Sequence, residues 1–276
     1  MTDEGIDLKD VMAVSDDLVR GLRAELHARW DAWDLDLTKP YLHEVIGGLM
    51  ARQVTLATQL AQAPSAWNGH VAPLILRAMT DAYITLSWIL RDPENRTDSY
   101  VKYGLGQRKL WLEHFKAALA EKGEKEPAEN TIVKAITEKL NAQRFEYLTE
   151  VSVGTWSERS TRQMAEEAGC LDFYRMAYTP LSTAVHNMWT HIADYNLRRC
   201  RNPLHQFHRV PEDPDLKPDI DYVYRAAKYV AKTFDLFDRE TGVSVDTPSS
   251  FDSFVSALRH LIGDVPADSA DPVGDL

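Results

Sequence analysis

At 276 residues, with 44% hydrophobic and 26% charged side chains, the chain has ordinary globular composition and can bury a sizeable core. Its 31 Lys and Arg against 42 Asp and Glu give a net charge of −11, which disfavours sequence-independent binding to nucleic acid or to anionic membranes. The two cysteines, Cys170 and Cys200, make no disulfide framework, and neither stands in a CxxC or Cys/His zinc spacing.

The first helix is marked by Val11, Leu18, Leu22, Leu26 and Trp30, which recur at steps of four or seven and form one buried stripe. Ahead of it, Met1-Thr2-Asp3-Glu4-Gly5 is acidic and lacks the apolar core of a signal peptide. Pro40 opens a second helix carrying Leu42, Val45, Ile46, Leu49 and Leu60, which Pro64 closes. A third runs from about His70 to Arg91, with Ile75, Leu76, Met79, Tyr83, Leu86 and Leu90 toward the core. Its span Val71 to Leu90 is the most apolar in the chain, yet Arg77 and Asp81 interrupt it, which argues against a membrane span. The expectation is a cytoplasmic protein with no membrane partner.

Asp92-Pro93 reads as an N-cap followed by a first-turn proline, restarting the chain as a fourth helix that reaches about Lys122. Gly104 and Gly106 within it are places for close packing or a bend. After a charged turn from Gly123 to Asn130, Ile132, Ile136 and Leu140 mark a fifth helix. Ser160 with Gln163 forms a capping box and Gly169 a C-terminal stop, bracketing a short helix. From Leu171 to about Arg198 the pattern predicts one long helix kinked at Pro180. The segment from Asn202 to Pro218 holds four prolines and reads as a surface loop, with further helices over Val223 to Phe237 and Phe251 to Ile262. Almost nothing alternates with a period of two, so no sheet is expected. The fold class is all-α: a single helical domain of eight to nine helices over 1–263, then a disordered acidic tail over 264–276.

Two constellations stand out on these helices. Arg77 and Asp81, four apart, share a helix face. They read either as an anion clamp with a base or ligand beside it, or as a salt bridge tying neighbouring helices. Tyr178, Ser182, His186, Thr190 and Asp194 fall at successive steps of four along the kinked helix, beside apolar Leu181, Val185, Met188 and Ile192. His186 is a general-base candidate there, or a hydrogen-bonded residue between packed helices. A helical Ser-His pair is unlike a nucleophile elbow, and His191 lies off that face, so neither serine hydrolysis nor a two-His zinc site is expected.

The basic run Arg198-Arg199-Cys200-Arg201-Asn202-Pro203-Leu204-His205-Gln206-Phe207-His208 resembles the ribonuclease motif of HEPN domains, which are helical, usually dimeric, nucleotide-binding proteins. The resemblance implies that Arg201 and His208, six residues between them, flank a scissile phosphate, with two copies meeting across a dimer. Arg would stabilise the phosphorane charge and His would move a proton at the 2′-hydroxyl. Only three residues separate Arg201 from His205, and Pro203 breaks the helix that usually carries the motif. His205 and His208, with Glu212 and Asp213 nearby, read either as a metal-binding group or, more commonly for such a run, as a solvated loop.

A second resemblance is broader. Leu76-Arg77, Asp81-Ala82-Tyr83-Ile84, Trp88-Ile89-Leu90-Arg91-Asp92-Pro93-Glu94 and Tyr100 resemble a bacterial family of unknown function. So do Trp156-Ser157, Ser160, Met164-Ala165-Glu166, Gly169, Tyr174, Tyr178, Leu181-Ser182 and Val185-His186, the match covering residues 40 to 195. An Arg, an acidic residue that is usually Glu, and a Ser-x-x-x-His step recur in that family; Asp81 shortens the acid by one methylene. The resemblance implies an all-helical fold and convergence of Arg77, Asp81 and His186, and carries no activity. The expected function is a HEPN-like ribonuclease or nucleotide-binding effector of a defence or toxin system. Its site is His186, Arg77, Asp81, Tyr178 and Ser182, with Arg201 and His208 second. RNA or a nucleotide and a second copy of the chain are its partners, with no cofactor and no metal. The competing classes are a non-catalytic scaffold and a metal-dependent hydrolase.

Overall fold

The computed structural model describes residues 7–123, 127–144 and 157–262; the expected acidic tail lies outside them. Helix α1 (Leu8–Ala32) starts at Asp7, whose carboxylate accepts from the Lys9 amide at 2.9 Å. Helix α2 (Pro40–Ala61) has its proline in the first turn, where the missing N–H goes unneeded, and a short turn over Pro64–Ala66 follows. Helix α3 (Ala72–Ile89) is the centre of the molecule. Leu76, Met79, Ile84, Leu86 and Ile89 have no exposed surface, because α2 and the helices after residue 160 pack around it. A helix covered on several sides reads as nearly all apolar, which is why Arg77 and Asp81 stand out on it.

Helix α4 (Pro93–Glu121) restarts the chain as expected, but Asp92 does not cap it through its side chain. Its carboxylate accepts instead from the Asn95 side-chain Nδ2 at 3.1 Å. Along α4 only Thr97, Gly106 and Leu112 are buried, and its far half pairs with α5 (Thr131–Arg144). Helix α6 (Thr161–Glu167) carries the expected capping box, with Ser160 and Gln163 each bonding the other's backbone amide. Gly169 ends the turn at φ 74°, a left-handed conformation that favours glycine.

The long kinked helix is corrected. It consists of α7 (Leu171–Phe173), a π-helical turn (Tyr174–Tyr178) and α8 (Thr179–Val185), and it stops at His186. Pro180 offers no N–H and its ring crowds the carbonyl one turn back; widening that turn accommodates both. Asn187 then takes φ 49° and Met188 is extended, so α9 (Trp189–Tyr195) leaves in a new direction. The polar stripe therefore ends at His186, and Thr190 and Asp194 belong to a different helix.

The expectation of no sheet is also corrected. Strands β1 (Leu197–Arg199) and β2 (Arg209–Pro211) pair antiparallel, with Arg198 opposite Val210. Three residues are too few to display alternation, so the pattern could not reveal them. Helices α10 (Asp221–Thr241) and α11 (Ser250–Ile262) close the fold, giving more helical segments than the eight to nine expected. One apolar cluster joins α1, α2, α3, α6, α8, α10 and α11. A buried polar network stitches its edge. Glu25, 5% exposed, accepts from the Ser250 amide at 2.7 Å and from Arg29 at 3.1 Å. Arg29 in turn reaches Asp238 at 2.8 Å, so one carboxylate and one guanidinium link α1, α10 and α11.

Candidate functional sites

Because α3 and the α7–α8 helix run antiparallel, Arg77 meets Ser182 and Tyr178, residues about a hundred positions later. Nε of Arg77 donates to Ser182 Oγ at 2.9 Å, and that hydroxyl donates on to the Tyr178 carbonyl at 2.8 Å. The guanidinium lies over the Tyr178 ring, its carbon 3.2 Å from the centroid, and the Tyr178 hydroxyl bonds Thr161 at 3.3 Å. A further guanidinium N–H bonds the Asp81 carboxylate. Arg77 itself is only 6% exposed, while Asp81 keeps about half its side chain in solvent.

Burial raises the Asp81 carboxyl above the usual aspartate range, although Arg77 and, more weakly, His186 pull it down. His186, the C-cap of α8, is exposed. No hydrogen bond or ion pair joins it to Asp81 or Arg77 among the described residues. Arg77, Asp81, Ser182 and Tyr178 thus come together, and His186 stands at the rim of the group. The Arg77 guanidinium is thus engaged on three sides, by Ser182, Asp81 and the Tyr178 ring.

Arg201 and His208 lie in the exposed loop between β1 and β2, with no helix around them. What the sequence did not reveal there is the company of Cys200. Its sulfur sits 3.7 Å from His205 Nδ1, and the ligand atoms of Cys200, His205 and His208 all fall within 4.8 Å of one another. The hairpin register creates this group, since the Cys200 amide bonds the His208 carbonyl at 2.9 Å and extends the ladder by one rung.

A third place escaped sequence reading altogether. Between α3, the α6–α7 turn and α10 lies a hollow of about 260 Å³. Arg91, Lys232 and Arg239 bring positive charge to it, Asp172 a negative charge, and Tyr83, Ser87, Cys170 and Phe173 also line it. Lys232 makes no ion pair among the described residues; its ammonium sits 5.8 Å above the Tyr83 ring and 5.7 Å above Phe173. Burial, then the neighbouring Lys228, push the Lys232 ammonium below the ordinary lysine value. Burial also raises the Cys170 thiol and lifts the Tyr83 hydroxyl to about 12, so both stay protonated at neutral pH. Arg91 donates to the Ala168 carbonyl at 3.1 Å and lies 3.7 Å from Glu240, which also pairs with Arg239 at 3.2 Å. Nothing in the spacing of Lys232 and Arg239 on α10 points to Arg91, some 140 residues earlier; only packing joins them.

Among the described residues no helix is long and apolar enough to cross a membrane. No curated protein and no solved structure matches the chain. Residues 43–202 match the model described as "Family of unknown function (DUF5677)", a span holding Arg77, Asp81, Tyr178, Ser182 and His186, and the chain belongs to that family.

Proposed function

We propose that the protein binds a small phosphate-bearing ligand of mononucleotide size in the basic hollow beside α10, the nucleotide-binding form of the function expected from sequence. One observation carries this reading: Lys232 is partly desolvated, makes no ion pair among the described residues although the Asp235 charge acts on it, and faces a hollow shared with Arg91 and Arg239 in a chain of net charge −11. A partly desolvated cation with no carboxylate in ion-pair contact carries an electrostatic cost that a phosphate group relieves. Tyr83 and Phe173 supply the apolar and aromatic wall that a base or sugar needs, and the volume approaches that of small-ligand sites. Isothermal titration of the purified protein with nucleoside mono- and diphosphates tests it. Saturable binding that weakens about tenfold in Lys232→Met supports the reading. Absence of heat and of thermal stabilisation with every nucleotide rejects it.

A second reading is metal-independent ribonuclease action at Asp81 and His186, with Arg77, Ser182 and Tyr178 holding the acid in place. It is favoured by the raised, half-exposed Asp81 carboxyl, which can exchange a proton nearer neutrality than an ordinary aspartate. RNA cleavage in the presence of a chelator, lost in His186→Ala at unchanged melting temperature, is its expected signature. The same assay on His208→Ala and Arg201→Ala examines the loop pair. A protein inert in both experiments is a non-catalytic helical module, and homodimerisation, expected from the HEPN resemblance, is read from sedimentation.

A further inference from the structure

We infer that Cys200, His205 and His208 form a binding site for a zinc-like transition-metal ion at the tip of the β1–β2 hairpin. Three observations converge. The donor atoms are a thiol sulfur and two imidazole nitrogens, the set that zinc and its borderline-soft relatives prefer over the hard cations magnesium and calcium. Their spacing suits a single ion: tetrahedral zinc, with bonds of about 2.3 Å to sulfur and about 2.0 Å to nitrogen, holds sulfur and nitrogen about 3.6 Å apart. Cys200 Sγ and His205 Nδ1 are separated by 3.7 Å, and the whole set by no more than 4.8 Å, a difference that a side-chain rotation absorbs.

The loop is also built to hold these groups. The Cys200 amide bonds the His208 carbonyl, and the His205 amide bonds the Asn202 carbonyl at 3.0 Å, so the backbone brings Cys200 beside both histidines. The two imidazoles stand edge to face, 5.3 Å between centroids, which lets both point a nitrogen at one centre.

An apolar anchor for this loop is lacking. Leu204 is 89% exposed and Phe207 96% exposed, so neither tucks under the turn to stabilise it. A metal bridging Cys200 to His205 and His208 supplies the missing cross-link. Three protein ligands leave a fourth coordination position, next to a hollow of about 370 Å³ lined by Arg199, Arg201, Asn202 and Phe207. That open position, flanked by two arginines, accepts water or an anionic oxygen donor. The arginines oppose a free divalent cation, and the thiol, releasing its proton on binding to become a thiolate, offsets part of that charge. The site lies outside the basic hollow and stands or falls separately from ligand binding there.

Cobalt(II) is the probe, added to chelator-treated, reduced full-length protein. The expected result is one cobalt per chain with a thiolate-to-cobalt charge-transfer band and the strong visible absorption of tetrahedral coordination, displaced by zinc. Cys200→Ser removes the charge-transfer band, and His205→Ala and His208→Ala each weaken binding at least about tenfold. His114→Ala, on α4 away from the loop, retains it. All four substitutions fall on the surface, and unchanged circular dichroism verifies folding. Failure to bind, octahedral spectra without charge transfer, or binding indifferent to Cys200→Ser overturns the assignment.

Discussion

The guanidinium of Arg77 stacks on Tyr178, 3.2 Å from ring centroid to carbon, while bonding Ser182 and Asp81 at its edges. The central helix is thereby clamped to the π-helical turn. Removing Arg77 strands a half-buried carboxylate, takes a donor from the Ser182 hydroxyl, and empties the face of the ring. Arg77→Ala is expected to destabilise the fold by about 2–4 kcal/mol, and Arg77→Lys by a large part of that, because an ammonium cannot stack and fork at once. Urea denaturation followed at 222 nm measures both. A loss below about 0.5 kcal/mol in Arg77→Ala would mean that the stack holds nothing.

Asp81 gives a pH test with a defined sign. Its folded value is raised, so its contribution to stability is fully present below the ordinary aspartate value of 3.8 and is lost as pH rises through the raised value. Relative to Asp81→Asn, the parent chain should therefore gain stability as pH falls from 7 toward 4. Half exposure keeps the gain small. The difference between the two denaturation midpoints across that range is the measurement, and a difference running the other way contradicts burial as the dominant cause.

Glu25 ties α11 to α1 through the Ser250 amide. Glu25→Ala leaves that buried N–H and the Arg29 guanidinium each short of an acceptor. A loss of about 3–5 kcal/mol is expected, with accelerated amide exchange concentrated in α11. Exchange spread evenly over the molecule would show that the network is not local to that helix.

Lys232→Met should leave the unliganded protein at least as stable as the parent, since it replaces a desolvated ammonium over two rings by an apolar chain of similar length. In the parent, nucleotide affinity should fall as pH climbs through the lowered lysine value, because the neutral amine no longer attracts phosphate. That decline begins below the ordinary 10.5 and is absent in Lys232→Met. Calorimetric titration at pH 7 and pH 9.5 reads it directly.

Much of the fold is legible along the chain because helix signals are local. The step-of-four stripe of α1, the Ser160–Gln163 capping box and the stop at Gly169 each involve residues within a few turns of one another. The errors share a cause as well. At Pro180 the sequence announces trouble but not its remedy, since a π-helical turn and a full break both answer a missing N–H. The hairpin escaped because three-residue strands carry no period.

By itself the sequence determined the helical class, the order of most elements and the oddness of two charges on the most apolar helix. Those follow from backbone periodicity and from the cost of placing ions among hydrocarbon. Tertiary packing alone decided what the charges do. It turned Arg77 inward against Ser182 and Tyr178, left His186 at the rim, joined Arg91 to Lys232 across 140 residues, and folded Cys200 back onto two histidines. Contacts between distant segments depend on how apolar faces dock against one another, and that docking is a property of the assembled core rather than of any one stretch of chain.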